Sequence, residues 1–575
     1  MKSRLWAAAW FLGAFSLYLS LMYGSYEVAD GGEFMALGAT LGVAHPPGYA
    51  FVSFFLRILA IIPAGGPEFR MNLLGPLSGA LAISLVWSLM RRLTGLPLSF
   101  AVTLFAATHP AFLPEAMGAK GGVYFLNVCL ATGICLAIIR APLHLLLESL
   151  FLVGLALSLH LLLGILLGVS FLVAFLSLSC RFPLAPLSLS SRSTPGPGLA
   201  SGTTRANEWI IAVVMMIIPA SVMMATPIRS SAVPRLCWGD LHSLREIAAL
   251  WEWWALWAPH VSSLAPFSDW PRYKTVLLMA SMALIGNLAG LRNRKHRDCH
   301  LFIGTLAVIS TMGFAAKEHY RDHLQVILVL LPAFSAGMAG FSSWLERIRG
   351  GRGTVAIAAI LLSAFSLLNM AALCAADRSR FYVLDDYAKN IRDIIGKRKA
   401  VLIWLGDYDY DAVRYRQLAY GELPGVVQVH GSILMIKSYG DHLARLQAEF
   451  PHFRVPGSTL RRAIPGSANE LDGLLADIAR ANAPHCAVYF QSCFSMEEGA
   501  WPKLCGLPHR VIGPLLLLKP GSGPSRDVLS RVRNRGIYSI AGTDTWSRLL
   551  LKELAFHTRA GATEMKPQHK RRPGP

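Results

Sequence analysis

Apolar runs near the length of a bilayer crossing recur through the first two thirds of this chain, separated by short basic clusters. A crossing helix needs about 20 mostly apolar residues, because a rise of about 1.5 Å per residue must cover about 30 Å of hydrocarbon. Soluble folds rarely bury so many such segments. Of the 575 residues, 54% are hydrophobic and only 15% charged, and the mean hydropathy is +0.45. A polytopic α-helical membrane protein is the fold class this composition allows. The net charge of +20 could suit nucleic acid, but the basic residues lie between apolar runs, where membrane topology places them. Nine cysteines form no CxxC pair and no Cys/His metal spacing, so no metal site is expected.

Length and charge then order the crossings. The first covers residues 5–22 behind Lys2 and Arg4, and no small-residue cleavage pattern follows it, so a retained anchor with a cytoplasmic N-terminus is expected. Residues 50–62 are too short to cross and carry Arg57; they fit a helix lying in the outer interface. Crossings at 71–90, 98–114, 122–139, 143–159, 161–178, 209–226, 275–291, 300–316, 324–342 and 354–373 then leave Arg91-Arg92, Arg140, Arg181 and the 292–297 cluster inside. The total is about eleven, with the C-terminus outside. The pair hinged at His160 has a second reading, one long tilted helix and one broken one, which would invert everything downstream.

These crossings give a membrane domain over 1–374, with an outer loop at 24–70, a Ser/Pro/Gly-rich and hence flexible cytoplasmic loop at 180–208, and an outer Trp-rich loop at 227–273. Its indoles, among them Trp238 and Trp270, suit the bilayer interface. From 375 to 565 charged and apolar residues alternate, with β-like runs at 400–405, 425–429, 486–490 and 511–518, as in a small extracytoplasmic α/β domain. Residues 566–575 read as a basic disordered tail. Asp407, Asp409 and Asp411 lack the spacing of a calcium loop and read as a loop after a strand.

Chemistry concentrates in the first outer loop, which carries Asp30-Gly31-Gly32-Glu33 and His45-Pro46-Pro47-Gly48-Tyr49. A carboxylate at the membrane edge is costly, and desolvation moves its pKa toward the range of a general base. A helix starting at Asp30 would put Glu33 one turn along the same face. The same residues would also cap and turn an ordinary surface loop.

Those motifs, with Leu41 to Tyr49 and Arg70-Met71-Asn72-Leu73, resemble the N-terminal region of the GT-C membrane glycosyltransferases. The closest branch contains the O-mannosyltransferase of plexin-type (IPT) domains and its bacterial relatives. Tyr124 with Asn127, His160, the stretch from Arg229 through Trp238-Gly239-Asp240, and Gly406-Asp407-Tyr408-Asp409 extend the likeness. The resemblance implies a GT-C fold and a membrane-embedded hexosyltransferase acting outside the cytoplasm. Its donor would be a mannose-like sugar on a polyprenyl phosphate, its acceptor a protein, lipid or glycan hydroxyl, and transfer would invert the sugar. No cofactor or metal is required. It implies Asp30 as base and Glu33 as orienter or alternative base. Substrate contacts would come from His45, Tyr49, Arg70, Asn72, Lys120, Tyr124, His160, Arg229, Trp238 and Asp240. Gly122 departs from the glutamate common in relatives two residues before the tyrosine. A lipid or polysaccharide transporter, or an inactive assembly protein of the same fold, are the alternatives.

Overall fold

In the computed structural model the described residues are 2–27, 30–45, 49–110, 112–140, 142–181, 201–224, 270–293, 295–315, 324–348, 351–370, 377–404, 407–431, 434, 439–457, 468–491, 509–512 and 515–518. Helices dominate. The first ten are α1 (Lys2–Leu21), α2 (Gly31–Thr40), α3 (Ala50–Ala60), α4 (Pro67–Asn72), α5 (Leu74–Leu93), α6 (Leu96–Thr108), α7 (Ala119–Arg140), α8 (Pro142–Leu159), α9 (Leu161–Arg181) and α10 (Ser201–Ala220). Among the described residues four more follow before residue 371: α11 (Trp270–Gly290), α12 (Arg297–Ala315), α13 (Leu324–Leu345) and α14 (Gly351–Met370). Among the described residues, Arg4–Leu21, Pro67–Leu93, Ala119–Arg140 and Gly351–Met370 are long and apolar enough to cross a membrane, and five shorter apolar helices accompany them. The chain is a multi-pass membrane protein.

His160 separates α8 from α9, so residues 143–178 form two helices. The loop expected over 180–208 is shorter than its composition suggests, because α9 runs to Arg181 and α10 begins at Ser201. Its centre lies outside the described residues, as do the turn at 316–323 and the C-terminal tail. Helix α3 is short and two-faced: Val52, Leu56 and Leu59 are buried while Phe54, Ile58 and the following Ile61 are exposed, the pattern of a helix lying at an apolar surface.

Two crossings, α5 and α7, pack closely because glycines remove the side chains between them. A methyl group on Gly75 of α5 would come within 2.6 Å of the Gly118 carbonyl oxygen, and one on Gly122 of α7 within 2.7 Å of the Leu74 backbone. Close backbone approach of this kind is how membrane helices gain packing in the absence of a hydrophobic drive between them. Tyr18 of α1 reaches across to the Ala107 carbonyl at 3.0 Å. Asn72, fully buried at the end of α4, donates to the carbonyls of Tyr23 and Ser25 and accepts from the Ala119 N–H at 3.3 Å. One side chain thereby ties the exit of α1 to the start of α7.

Beyond residue 376 lie α15 (Val383–Ile395), β1 (Ala400–Trp404), α16 (Asp407–Tyr420), β2 (Val426–His430), α17 (Tyr439–Glu449), α18 (Ala468–Asn482), β3 (Ala487–Gln491), β4 (His509–Ile512) and β5 (Leu515–Leu518). The sheet order is β2-β1-β3-β5-β4. The first three strands are parallel, which requires helical crossovers, and β5 runs antiparallel to both β3 and β4. The apolar run at 511–518 is thus one arm of each of two strands rather than one strand. Helix α16 starts at Asp407, so the aspartates assigned to a loop lie in its first turns.

This unit sits on the segment between α1 and α5 of the membrane domain. Gly32 of α2 faces the backbone of α16 so closely that a methyl group would lie 2.5 Å from the Asp411 carbonyl carbon. Glu68 accepts hydrogen bonds from Tyr415 and Tyr420, and Tyr26 stacks edge-on against Tyr415 with ring centroids 5.5 Å apart. Helix α2 is therefore held from outside by α16. Gly32→Ala should lower stability by about 1–3 kcal/mol through overpacking. Gly13→Ala, where nothing lies within 4 Å, should leave the thermal midpoint in detergent unchanged or slightly raised; equal midpoints for the two variants would contradict the close contact.

Candidate active site

Helix α2 starts after Asp30, whose backbone takes the N-cap place without its side chain capping the helix. At the far end Leu41 turns left-handed (φ 56°) and Tyr49 does so again at the start of α3 (φ 43°). Only one other non-glycine residue among those described has positive φ. Such backbone is costly for residues with a Cβ and persists where surrounding contacts enforce it. The enforcing contact here is Glu33. It accepts the His45 backbone N–H at 2.7 Å on one oxygen and the His45 ring Nδ1 at 2.5 Å on the other. Glu33 is 2% exposed, so this bidentate pair closes the loop from inside.

Asp30 and Glu33 were expected to share a face and a task, but the structure separates them. Asp30 turns to α7 and pairs with Lys120 Nζ at 2.8 Å. Each acid has its own cation, and the charges remain within mutual reach, because His45 also stabilises ionised Asp30. Burial works to raise the Asp30 carboxyl, yet Lys120 and then His45 outweigh it and hold it below the usual carboxylate range. Burial likewise opposes protonation of His45, but Glu33, by charge and by direct hydrogen bond, raises the imidazole to about 9. His45 is therefore a cation at neutral pH.

Sequence reasoning missed Glu27. It is buried, and its carboxylate accepts the backbone N–H of Lys120 at the start of α7, where helix N-terminal donors are unsatisfied. Burial first, then the charge of Glu115, raises it to about 8. The available signal was glycine: methyl groups on Gly31 or Gly118 would collide with the Glu27 side chain, so both glycines make room for it. Gly122 cannot carry a glutamate here, because α5 occupies the space its Cβ would need. Glu27 and Glu115 place carboxylates beside the first turn of α7 instead.

The remaining candidates are distributed around these pairs. Tyr49 packs edge-on against His45, Phe34 and His160, with ring centroids 5.2, 5.1 and 5.4 Å away, and Tyr124 lies 6.4 Å from His160. These rings form one wall next to the Glu33–His45 pair. His160 is buried and takes the Leu163 N–H at 3.4 Å, as a residue that caps a helix start does. Arg70 is not among the group. Its guanidinium donates to the carbonyls of Ala60, Ile62 and Gly66, closing the turn after α3. Asn72 is the buried clamp already described. Arg229, Trp238 and Asp240 lie outside the described residues. Among the described residues no three His, Cys, Asp or Glu side chains are grouped to hold a metal ion.

Such a site can keep one carboxylate ionised, present two cations to an anion and shelter both beside aromatic rings. Its charge state has a pH signature. The folded pKa of His45 lies above the free value of about 6.5, so its contribution to stability is complete below that pH and is lost as pH rises through about 9. Glu27, raised to about 8, acts in the same direction from about pH 4.5 upward, since the unfolded chain loses its proton first. The thermal midpoint should fall between pH 6.5 and 9, and His45→Gln should be less stable at pH 6 with a shallower fall; parallel curves would contradict the assignment.

Residues 30–181 match the family model described as the protein O-mannosyl-transferase TMEM260 N-terminal domain. The mouse protein O-mannosyl-transferase TMEM260 is 40% identical over 67 residues, which is 12% of this chain and 10% of that protein. The chain thus matches about a tenth of that relative's length. Among solved structures, ArnT from Cupriavidus metallidurans bound to undecaprenyl phosphate aligns over 91% of this chain and 99% of its own, at 14% identity and a TM-score of 0.46. The Archaeoglobus fulgidus oligosaccharyltransferase in its apo form aligns over 87% and 71%, at 12% identity and 0.42. The recognition drawn from the motifs is borne out where the Asp30–Lys120 and Glu33–His45 pairs lie: over residues 30–181 this chain resembles the N-terminal domain of the TMEM260 protein O-mannosyl-transferases.

Proposed function

We propose that this protein is an integral-membrane glycosyltransferase that moves a mannose-like hexose from a polyprenyl phosphate to a hydroxyl acceptor outside the cytoplasm, with inversion. The observation that carries the reading is the Asp30–Lys120 pair at the first turn of a membrane-spanning helix, beside a second cation, His45. The family match over residues 30–181 supports the same reaction class.

In this reaction the acceptor oxygen attacks the anomeric carbon as the bond from that carbon to the phosphate oxygen breaks. The acceptor proton passes to Asp30, and the polyprenyl phosphate leaves with both electrons of the broken bond. Asp30 alone is a weak base while Lys120 holds its pKa down. That suits a dissociative, oxocarbenium-like step, in which the acceptor hydroxyl becomes acidic only as its new bond forms. An arriving phosphate competes for Lys120 and so makes Asp30 more basic when it is needed. Lys120 and His45 then meet the charge growing on the departing phosphate. Glu33 fixes His45, and with it the loop, and buried Tyr49 packs against the His45 ring and holds it in place.

Membranes containing the protein and supplied with radiolabelled polyprenyl-phosphate hexoses should transfer label from one donor. Asp30→Asn should reduce that transfer by roughly 10²-fold or more. Equal transfer by the two proteins would remove Asp30 from the reaction, and no transfer from any donor would overturn the reading.

A further inference from the structure

The end of α7 opposite the candidate site holds a second concentration of charge. Arg140 closes α7 about 20 residues from Lys120, which at about 1.5 Å per residue places the two some 30 Å apart, a full hydrocarbon thickness. Arg92, at the end of α5, and Arg4, in the first turn of α1, reach the same level. Between the three helices lies a cavity of about 220 Å³ lined by Arg4, Arg92 and Arg140 together with Ser88, Leu85 and Leu136.

Three arginines at helix ends would, on topology alone, spread into the interface. These converge instead on one space. The neighbouring Arg91 shows the contrast: its guanidinium donates to the Thr94 carbonyl and lies 6.0 Å from the Trp87 ring, so it is engaged on its own helix end. Arg140 meets Glu148, which is not among the cavity's lining residues, at 3.7 Å with both side chains about half exposed, a geometry of little energetic weight. Three cations line the cavity, and no carboxylate is among its described lining residues. The lining is also graded in exposure: Arg4, Arg92 and Arg140 are exposed, Leu85 and Ser88 half-buried and Leu136 buried. Its frame is fixed by Ser84, which donates to the Ala7 carbonyl at 2.9 Å and locks α1 to α5.

We propose that this cavity is a binding site for the phosphate head group of an anionic membrane lipid, in the leaflet opposite the Asp30–Lys120 pair. Planar guanidinium groups bind phosphate bidentately, and basic pockets between crossing helices are suited to anionic head groups. A free phosphate would satisfy the arginines but leave the apolar walls exposed. The site is independent of the transfer reaction proposed above.

The test is native mass spectrometry of the full-length protein in detergent, titrated with dioleoyl phosphatidylglycerol, dioleoyl phosphatidylcholine or inorganic phosphate. The wild type should retain one phosphatidylglycerol at least 10-fold more strongly than phosphatidylcholine. The triple variant R4Q/R92Q/R140Q should abolish that preference. Because removing three basic residues could disturb insertion, Ser88→Phe supplies a second variant that fills the cavity and leaves all three charges, and it should cut phosphatidylglycerol retention by about the same factor. Equal retention of the two lipids by the wild type, or unchanged preference in Ser88→Phe, would overturn the proposal. Inorganic phosphate displacing the lipid at micromolar concentration would also overturn it, by showing a site for a free anion.

Discussion

The Asp30–Lys120 contact joins the loop that follows α1 to a membrane-spanning helix, and the rest of the site is arranged around it. At 2.8 Å, with each side chain between a fifth and a quarter exposed, the pair lies between the surface and buried regimes. Exposed pairs contribute about 0–1 kcal/mol, whereas stripping one partner from a buried pair costs about 3–5 kcal/mol, because the survivor is left uncompensated. Its consequence for chemistry is larger than for stability. Lys120 is a cation that can be shared, so the basicity of Asp30 depends on what else Lys120 touches. Glu27 and Asn72 fix the start of α7 beneath the pair, so the ammonium is aimed by a backbone that cannot shift freely.

The second pair governs shape. Glu33 binds both the main chain and the ring of His45, and the segment between Leu41 and Tyr49 is held in left-handed conformations at both ends. From outside, α16 presses its backbone onto Gly32 while Glu68 joins the tyrosines of the same helix. Helix α2 is thereby clamped between the membrane domain and the sheet-bearing unit. A change in the outer unit would reach the candidate site through this short path, without crossing the bilayer.

Much of this was legible in the sequence, and the limits have physical causes. Apolar length gave the long helices and demoted residues 50–62 to a short one, because hydrocarbon thickness is a hard constraint on a single segment. Proline and glycine after His45 marked the loop. Spacing suggested one face for Asp30 and Glu33, yet the partners of a carboxylate are set by tertiary neighbours, and Lys120 arrives from 90 positions away in sequence. Glu27 was overlooked because a single acid near a span end has no pattern of its own; its markers are glycines 31 and 118, which only coordinates show to be touching it. The apolar run at 511–518 hid a strand reversal, since two short strands and one long one have the same hydropathy. Serine and glycine content made residues 201–208 resemble a loop, although they extend a helix whose apolar part begins later.

A structure determined with a polyprenyl phosphate bound would test the central claim most directly. The account places the phosphate in ion-pair contact with Lys120, with Asp30 released to face the space where an acceptor hydroxyl would enter. A phosphate bound away from Lys120 and His45, with the Asp30–Lys120 pair intact beneath it, would contradict the account.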